Sequence, residues 1–282
     1  MSGTLFLVAT PIGNLEDMTT RAVKVLSAAD IIAAEDTRHT LQLLNHFAIK
    51  GHLVRYDEHN KDKEGPVLLQ ELLDGKNIVL VSDAGFPGIA DPGEAMAKLA
   101  VANGITVVPV PGANAALTAL VASGLPSTPF FFGGFLPKTK RNRAEQLAAW
   151  EKMPATLVLY EAPHRIKEVL GEILAAWGDR QIVLGRELTK LHEEFWRGTI
   201  SGALAHLEAS PPRGEFVLVV ARGEPVAAAP PAEDPLETVK KLILDGVPKK
   251  EALAQVAKAN KIPKRELYNR LLRENPEAEQ NL

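Results

Sequence analysis

Short, largely apolar runs that break at polar, glycine- or proline-bearing loops recur through residues 1–124, each followed by a stretch of helical period. Thr4 to Thr10 (TLFLVAT), Ile31 to Ala34, Asn77 to Ser82 and Thr106 to Val110 are such runs. Strands apolar at every position are covered on both faces, which is the condition of a parallel sheet between helices. Helical spacing predicts helices at Thr19 to Ala29, Thr40 to Phe47, Val67 to Leu73, Glu94 to Asn103 and about Ala113 to Ser123, the last two stopped by Gly104 and Gly124. The alternation defines an α/β domain over residues 1–124 with a mostly parallel sheet.

Pro126 to Pro129 reads as a connection into a second α/β domain, residues 125–223. Strands are expected near Phe130 to Phe132, Thr156 to Tyr160, Ile182 to Arg186 and Phe216 to Ala221, with helices near Arg143 to Lys152, Pro163 to Trp177 and Ser201 to Ala209. Residues 224–235 form a Pro/Ala linker without core-forming side chains. Residues 236–282 form a small basic module, in which Lys249 to Ala259 and Lys264 to Arg273 suit a helix-turn-helix.

Composition removes several classes. With no Cys, a disulfide framework, a Cys zinc site, an iron–sulfur cluster and a thiol nucleophile are excluded. No apolar run reaches the length of a membrane span, and Met1-Ser2-Gly3 leads directly into a strand without a basic head, so the chain reads as cytoplasmic. The net charge of -3 hides an asymmetry: Leu236 to Arg273 carries 10 Lys/Arg against 4 Asp/Glu, a local +6 that leaves -9 elsewhere. A basic module on an acidic body fits a phosphate backbone, or simply a solvated helical surface.

In sheets of this kind chemistry concentrates in loops at the carboxyl ends of strands. The loop Pro11 to Asp17 lacks G-x-G-x-x-G, and no G-x-x-x-x-G-K-[ST] occurs, so dinucleotide and P-loop readings fall. Ser82 to Gly93 packs three Gly, two Pro and two Asp into 12 residues after a buried strand. Such a loop permits close backbone approach to a ligand and offers carboxylates to amines or ribose hydroxyls. Pro109 to Ala116 opens a helix with small residues against which a flat ring can lie, although close helix–sheet packing explains them equally. Glu35 to His39 and Asp57 to Asn60 are dense in charge, yet their histidines show no ligand spacing, and no metal is expected. No G-x-S-x-G is present. Beyond Phe130 to Pro137, four of the six residues Lys138 to Arg143 are basic, and aromatics beside such a cluster suit an RNA strand or, for the aromatics, a core.

Taken together, Thr10 to Leu15, Glu35 to Arg38, Ser82 to Gly85, Asp91-Pro92-Gly93, Gly134 to Lys138, Glu161 to Arg165 and Arg186 to Lys190 resemble the bacterial 16S rRNA ribose 2′-O-methyltransferases of the tetrapyrrole methylase superfamily. The resemblance runs from about Thr4 to Gly223, and the tail resembles that family's C-terminal extension. It implies two α/β domains of the class III methyltransferase type with S-adenosylmethionine in the cleft between them, commonly as a homodimer. It further implies 16S rRNA in the small ribosomal subunit as substrate, methylated at the 2′-hydroxyl of a decoding-centre cytidine.

Carried over by motif, cofactor contacts fall to Pro11, Asp83, Ala84, Gly85, Ile89, Asn114, Ala115, Glu161 and Gly198. Phe86 stands where the family has a small hydroxyl residue, and Ala90 where it has a polar one. A ribose hydroxyl needs help in shedding its proton, and Asp36 with Arg38, or Glu187 with Lys190, are the candidates. RNA contacts are expected from Lys138, Lys140, Arg141 and Arg143 and from Lys249, Lys250, Lys264 and Arg265. A tetrapyrrole C-methylase would share the cofactor loops but needs no basic segments, and a non-catalytic ribosome-binding factor would keep the fold without cofactor affinity.

Overall fold

The four apolar runs of the first domain become strands of one sheet in the computed structural model, which describes residues 2–223, 234–260 and 262–274. β1 (Thr4–Val8), β2 (Ile31–Ala34), β3 (Leu53–Arg55), β4 (Ile78–Val81) and β5 (Thr106–Val110) are all parallel, in the order β3-β2-β4-β1-β5. α1 (Thr20–Ser27) and α2 (Thr37–His46) cover one face, whereas α3 (Lys61–Leu73) and α4 (Gly93–Ala102) cover the other. Every side chain of β4 is therefore buried: Ile78 and Leu80 pack with Leu68, Leu72 and Met96, while Val79 and Val81 pack with Leu26 and Leu44. β1 sends its chain to one face and its neighbour β4 to the opposite face, so the connections diverge and leave a crevice at the carboxyl ends of these two strands.

α5 (Ala115–Ser123) is the helix that the sequence groups with the first domain, but it packs on the second sheet. That sheet comprises β6 (Phe130–Phe135), β7 (Thr156–Glu161), β8 (Gln181–Arg186), β9 (Glu194–Thr199) and β10 (Phe216–Val220), in the order β6-β7-β10-β8-β9. Only β6 and β7 are parallel. Ala116, Ala119 and Leu120 of α5 cover Val158, Val183 and Val217 on one face. On the other face α6 (Lys140–Trp150), α7 (Ile166–Trp177) and α8 (Ile200–Ala209) set Leu147, Leu170, Ile173 and Leu207 against Leu157, Leu159 and Leu218.

Three local expectations need correction. β3 and β9 have no counterpart in the sequence reading; both are edge strands with half-exposed side chains and lack a continuous apolar run. α3 starts at Lys61, with Pro66 inside it, because the Asp57 carboxylate accepts the N–H groups of His59 and Asn60 and organises the start of the helix. The linker also ends earlier than expected: its last residue, Pro235, is the first of a helix, while residues 224–233 lie outside the described residues.

The described chain divides at Gly223 into two compact units, the second beginning at Glu224. The second unit has a three-helix core instead of two helices alone. α9 (Pro235–Leu244), α10 (Lys249–Asn260) and α11 (Lys264–Glu274) bury Leu236, Val239, Leu253, Val256 and Leu267. Asp234 caps α9 at the Leu236 N–H and pairs with Arg270 of α11 at 2.7 Å. Among the described residues no helix is long and apolar enough to cross a membrane.

Candidate active site

The loops that follow β1, β2 and β4 are tied to one another by backbone groups. Thr10 donates its N–H to the Gly85 carbonyl at 2.9 Å and accepts the Gly85 N–H at 3.1 Å. The buried Thr10 hydroxyl donates to the Ser82 carbonyl at 3.3 Å. Gly85 holds φ at +81°, a left-handed conformation that favours glycine, which is why a glycine ends Ser82-Asp83-Ala84-Gly85. From the β2 loop, the Asp36 N–H donates to Asp83 Oδ1 at 3.0 Å. Asp91 Oδ1 accepts both the Gly88 and Gly93 N–H groups, at 2.7 and 2.8 Å, fixing the rest of the long loop.

These loops form one wall of a cleft of about 550 Å³, a volume that suits a nucleoside-sized ligand. Ile12, Glu35, Asp83 to Gly85, Ile89, Asn114 and Ala115 line it from the first half, opposite Phe135, Tyr160, Glu161, Lys190 and Glu215. Asn114 also caps α5 by accepting the Leu117 N–H at 2.9 Å, and the Tyr160 hydroxyl accepts the Ala116 N–H at 3.2 Å. Both halves thus converge on the start of one helix.

The lining is strongly acidic: Glu35, Asp83, Asp91, Glu161 and Glu215 face a single basic residue, Lys190. Burial, then the nearby Asp83 and Asp91, pushes the pKa of Glu35 up. The Glu161 side chain is 0% exposed. Its Oε1 accepts the Ala162 N–H at 2.8 Å and lies 3.6 Å from Arg165 Nε, while its Oε2 has no partner. Burial raises the Glu161 pKa against the opposing pull of the Ala162 N–H and Arg165. An unpaired buried carboxylate oxygen costs free energy unless something meets it, so Glu161 Oε2 points to a ligand with a donor or a positive charge.

Of the residues expected at the cofactor, Asp83, Ala84, Gly85, Ile89, Asn114, Ala115 and Glu161 lie in the cleft walls. Pro11 is buried directly beside lining residue Ile12. Gly198 is elsewhere: it sits on edge strand β9 opposite Ile182, and it is glycine because a Cβ would come 2.6 Å from the Trp196 ring.

Asp36 and Arg38 also stand outside the walls. The Asp36 carboxylate caps α2 by accepting the Arg38 N–H at 2.8 Å and also binds the Arg38 guanidinium, whose side chain is 89% exposed. These hydrogen bonds hold the Asp36 carboxyl well below the usual carboxylate range, which makes it a poor proton acceptor. Glu187 is engaged by Lys190 Nζ at 2.8 Å and by the Glu215 N–H at 3.0 Å, and lies behind the lining instead of in it.

Among the expected RNA contacts, Lys138, Lys140 and Arg141 are exposed at the start of α6. Arg143 is not: its side chain is 3% exposed, and its guanidinium binds Glu168, Glu172 and the Lys138 carbonyl. A basic residue counted from composition proves to be an internal strut. In the second unit Lys250, Lys264 and Arg265 are exposed, and Lys249 lies over the Tyr268 ring at 5.5 Å. Sequence reasoning does not single out Tyr160 or Glu215, because both reach the cleft through antiparallel pairing of β7 and β10, which leaves no local pattern. Among the described residues no group of three or more His, Asp or Glu is placed to hold a metal.

Residues 4–204 match the model of the tetrapyrrole (corrin/porphyrin) methylase family. A uroporphyrin-III C-methyl transferase from Thermus thermophilus, solved in complex with S-adenyl homocysteine, has the same fold. It superposes with a TM-score of 0.55 and 21% identity, covering 77% of this chain and 97% of that one. Fold and cleft together thus define a tetrapyrrole-methylase-type protein. The Ribosomal RNA small subunit methyltransferase I of Halalkalibacterium halodurans is 49% identical over 274 residues, 95% of this chain and 94% of that protein. Its counterpart in Bacillus subtilis is 48% identical over 272 residues, 95% and 93% of the two chains. This chain belongs to the tetrapyrrole methylase family and, within it, to the ribosomal RNA small subunit methyltransferase I family.

Proposed function

We propose that the protein is an S-adenosylmethionine-dependent RNA methyltransferase whose acceptor is the 2′-hydroxyl of a cytidine ribose in the decoding centre of 16S rRNA, reached in the small ribosomal subunit. The observation that carries the cofactor assignment is the buried, unpartnered Oε2 of lining residue Glu161, in a largely apolar cleft whose charged residues are acidic but for Lys190. A cationic nucleoside matches that charge and volume. When bound, S-adenosylmethionine supplies an electrophilic methyl group: the hydroxyl oxygen forms the new C–O bond, the C–S electron pair returns to sulfur, and the hydroxyl proton leaves to solvent.

The residues of this chain perform the rest. Asp83 and Asn114 present polar groups along one wall, and Glu161, on the other, has an unpartnered oxygen. Holding the hydroxyl in line at about 3–3.5 Å from the methyl carbon provides much of the acceleration. The acidic lining repels phosphates, so the RNA backbone belongs outside the cleft, on bases such as Lys138, Lys140 and Arg141, and the second unit carries exposed bases of its own. In that unit α10 and α11 each begin with two basic residues, Lys249-Lys250 and Lys264-Arg265, at the positive end of the helix dipole. That placement disfavours the isolated helix and favours an anion.

The test presents tritiated S-adenosylmethionine with three acceptors in parallel: unmodified small subunits, naked 16S rRNA and a porphyrinogen. Label on the subunit supports the proposal. Label on the porphyrinogen alone supports tetrapyrrole methylation, and absence of cofactor binding supports a non-catalytic ribosome factor.

A further inference from the structure

We propose that Lys190 is the residue of the cleft that meets the acceptor oxygen, with Glu187 and Glu215 acting as positioning residues behind it; this rests on the methyltransferase reading above. Lys190 Nζ donates to Glu187 Oε1 at 2.8 Å and to Glu215 Oε2 at 2.9 Å. An ammonium carries three donors. Two are engaged, and the third belongs to a side chain that lines the cleft and is 31% exposed.

The surrounding chain is shaped around this lysine. Its stem lies on the β1 loop, where a Cβ on Gly13 would come 2.4 Å from Lys190 Cγ. The loop after β8 carries two non-glycine residues at positive φ, Glu187 at +49° and Thr189 at +64°. Such conformations are strained for L residues and persist only where the surroundings impose them. Here Thr189 Oγ1 accepts the Asn14 N–H at 3.1 Å, and the Thr189 N–H donates to Glu193 at 2.6 Å. Gly214, at φ +77°, leaves the space that the Glu187 carboxylate fills.

The two carboxylates also decide which oxygen fits. Two carboxylates outweigh the one ammonium, so the cluster is net negative and does not attract a phosphate. What remains is one directional N–H, suited to the neutral oxygen of a hydroxyl. Donation to that oxygen polarises the O–H bond and fixes the lone pair that faces the methyl donor.

The experiment uses the full chain and unmodified small subunits and measures single-turnover methylation, subunit affinity and, by calorimetry, S-adenosylmethionine affinity. Lys190→Met is expected to lose about 100-fold in rate with both affinities unchanged, as for removal of a donor that acts on the reacting oxygen. Lys190→Arg should recover part of the loss. Glu215→Gln, at an exposed position, should lose between about threefold and tenfold, through looser placement of Lys190. Wild-type rate in Lys190→Met overturns the proposal, as does a loss confined to subunit affinity, which would assign the lysine to a phosphate, or one shared by cofactor affinity. If Lys190→Met does not fold, an unchanged rate in Glu215→Gln overturns it instead. Failure of the underlying reading shows separately, as absence of label on the subunit with the wild-type protein.

Discussion

A Cβ placed on Gly93 would stand 2.5 Å from the backbone nitrogen of Gly88, while Asp91 accepts hydrogen bonds from both residues. The loop after β4 is thus folded back on the start of α4 through a contact that only glycine at position 93 allows. The obstacle is backbone, so no side chain can swing aside to relieve it. Gly93→Ala should destabilise the protein by about 1–3 kcal/mol. It should also weaken S-adenosylmethionine binding, because Ile89 and Asp91 lie on the displaced loop. Thermal melts and calorimetry check the two effects together.

Arg143 and its neighbours in sequence should separate cleanly by phenotype. Arg143→Ala strips the donor from Glu172, Glu168 and the Lys138 carbonyl and leaves a partly buried acidic pair. Loss of about 3–5 kcal/mol is expected. Alanine at Lys138, Lys140 and Arg141 should leave the melting temperature unchanged and weaken subunit binding. Chemical denaturation and a subunit-binding titration on the two variants provide the comparison.

The pKa of Glu161 is raised in the folded chain, chiefly by burial. The native state therefore binds this proton more tightly than the unfolded chain does. Stability from this group is fully present below the unfolded carboxylate pKa and is lost as pH rises through the folded value. Glu161→Gln removes the ionisation, so its melting temperature should exceed that of the wild type at neutral and alkaline pH, and the difference should vanish in acid. Cofactor affinity should move the other way, falling in Glu161→Gln at neutral pH. A variant that is neither more stable above the transition nor weaker in cofactor binding would show that Glu161 Oε2 is satisfied by other means.

What the sequence made legible follows from where the fold's information is local. β2 and β4 announce themselves because burial on both faces demands apolar residues at every position, and the less covered β1 and the edge strand β5 still carry legible apolar runs. The Ser82 to Gly93 loop is readable because positive φ and close approach demand glycine. β9 is hidden in Glu194–Thr199, an antiparallel edge with charged and half-exposed residues. The lysine clamp is hidden for a different reason: Glu215 lies 25 residues from Lys190, and they meet only through strand pairing. Arg143 misleads in a related way, since its place between Glu168 and Glu172 is a structural use that a count of basic residues cannot distinguish from a ligand contact.

If the exposed bases of the second unit grip phosphates, replacing Lys249, Lys250, Lys264 and Arg265 by alanine in the full chain should flatten the salt dependence of subunit binding. Each lost contact should lower the slope of log affinity against log salt by roughly 0.7–0.9. An unchanged slope would assign these helices to a role other than RNA contact.

The proposed reaction delivers a methyl group from this acidic cleft to a ribose hydroxyl of the small-subunit RNA. A 2′-O-methyl group removes the hydroxyl that attacks the adjacent phosphodiester in alkali, so the modified linkage survives hydrolysis. The decisive measurement is alkaline hydrolysis of 16S rRNA from subunits labelled by the protein with tritiated S-adenosylmethionine, with the surviving label mapped to its nucleotide. Label is expected in one alkali-resistant dinucleotide that begins with a decoding-centre cytidine. Label released as a free base-methylated nucleotide, or found on another acceptor altogether, would contradict it.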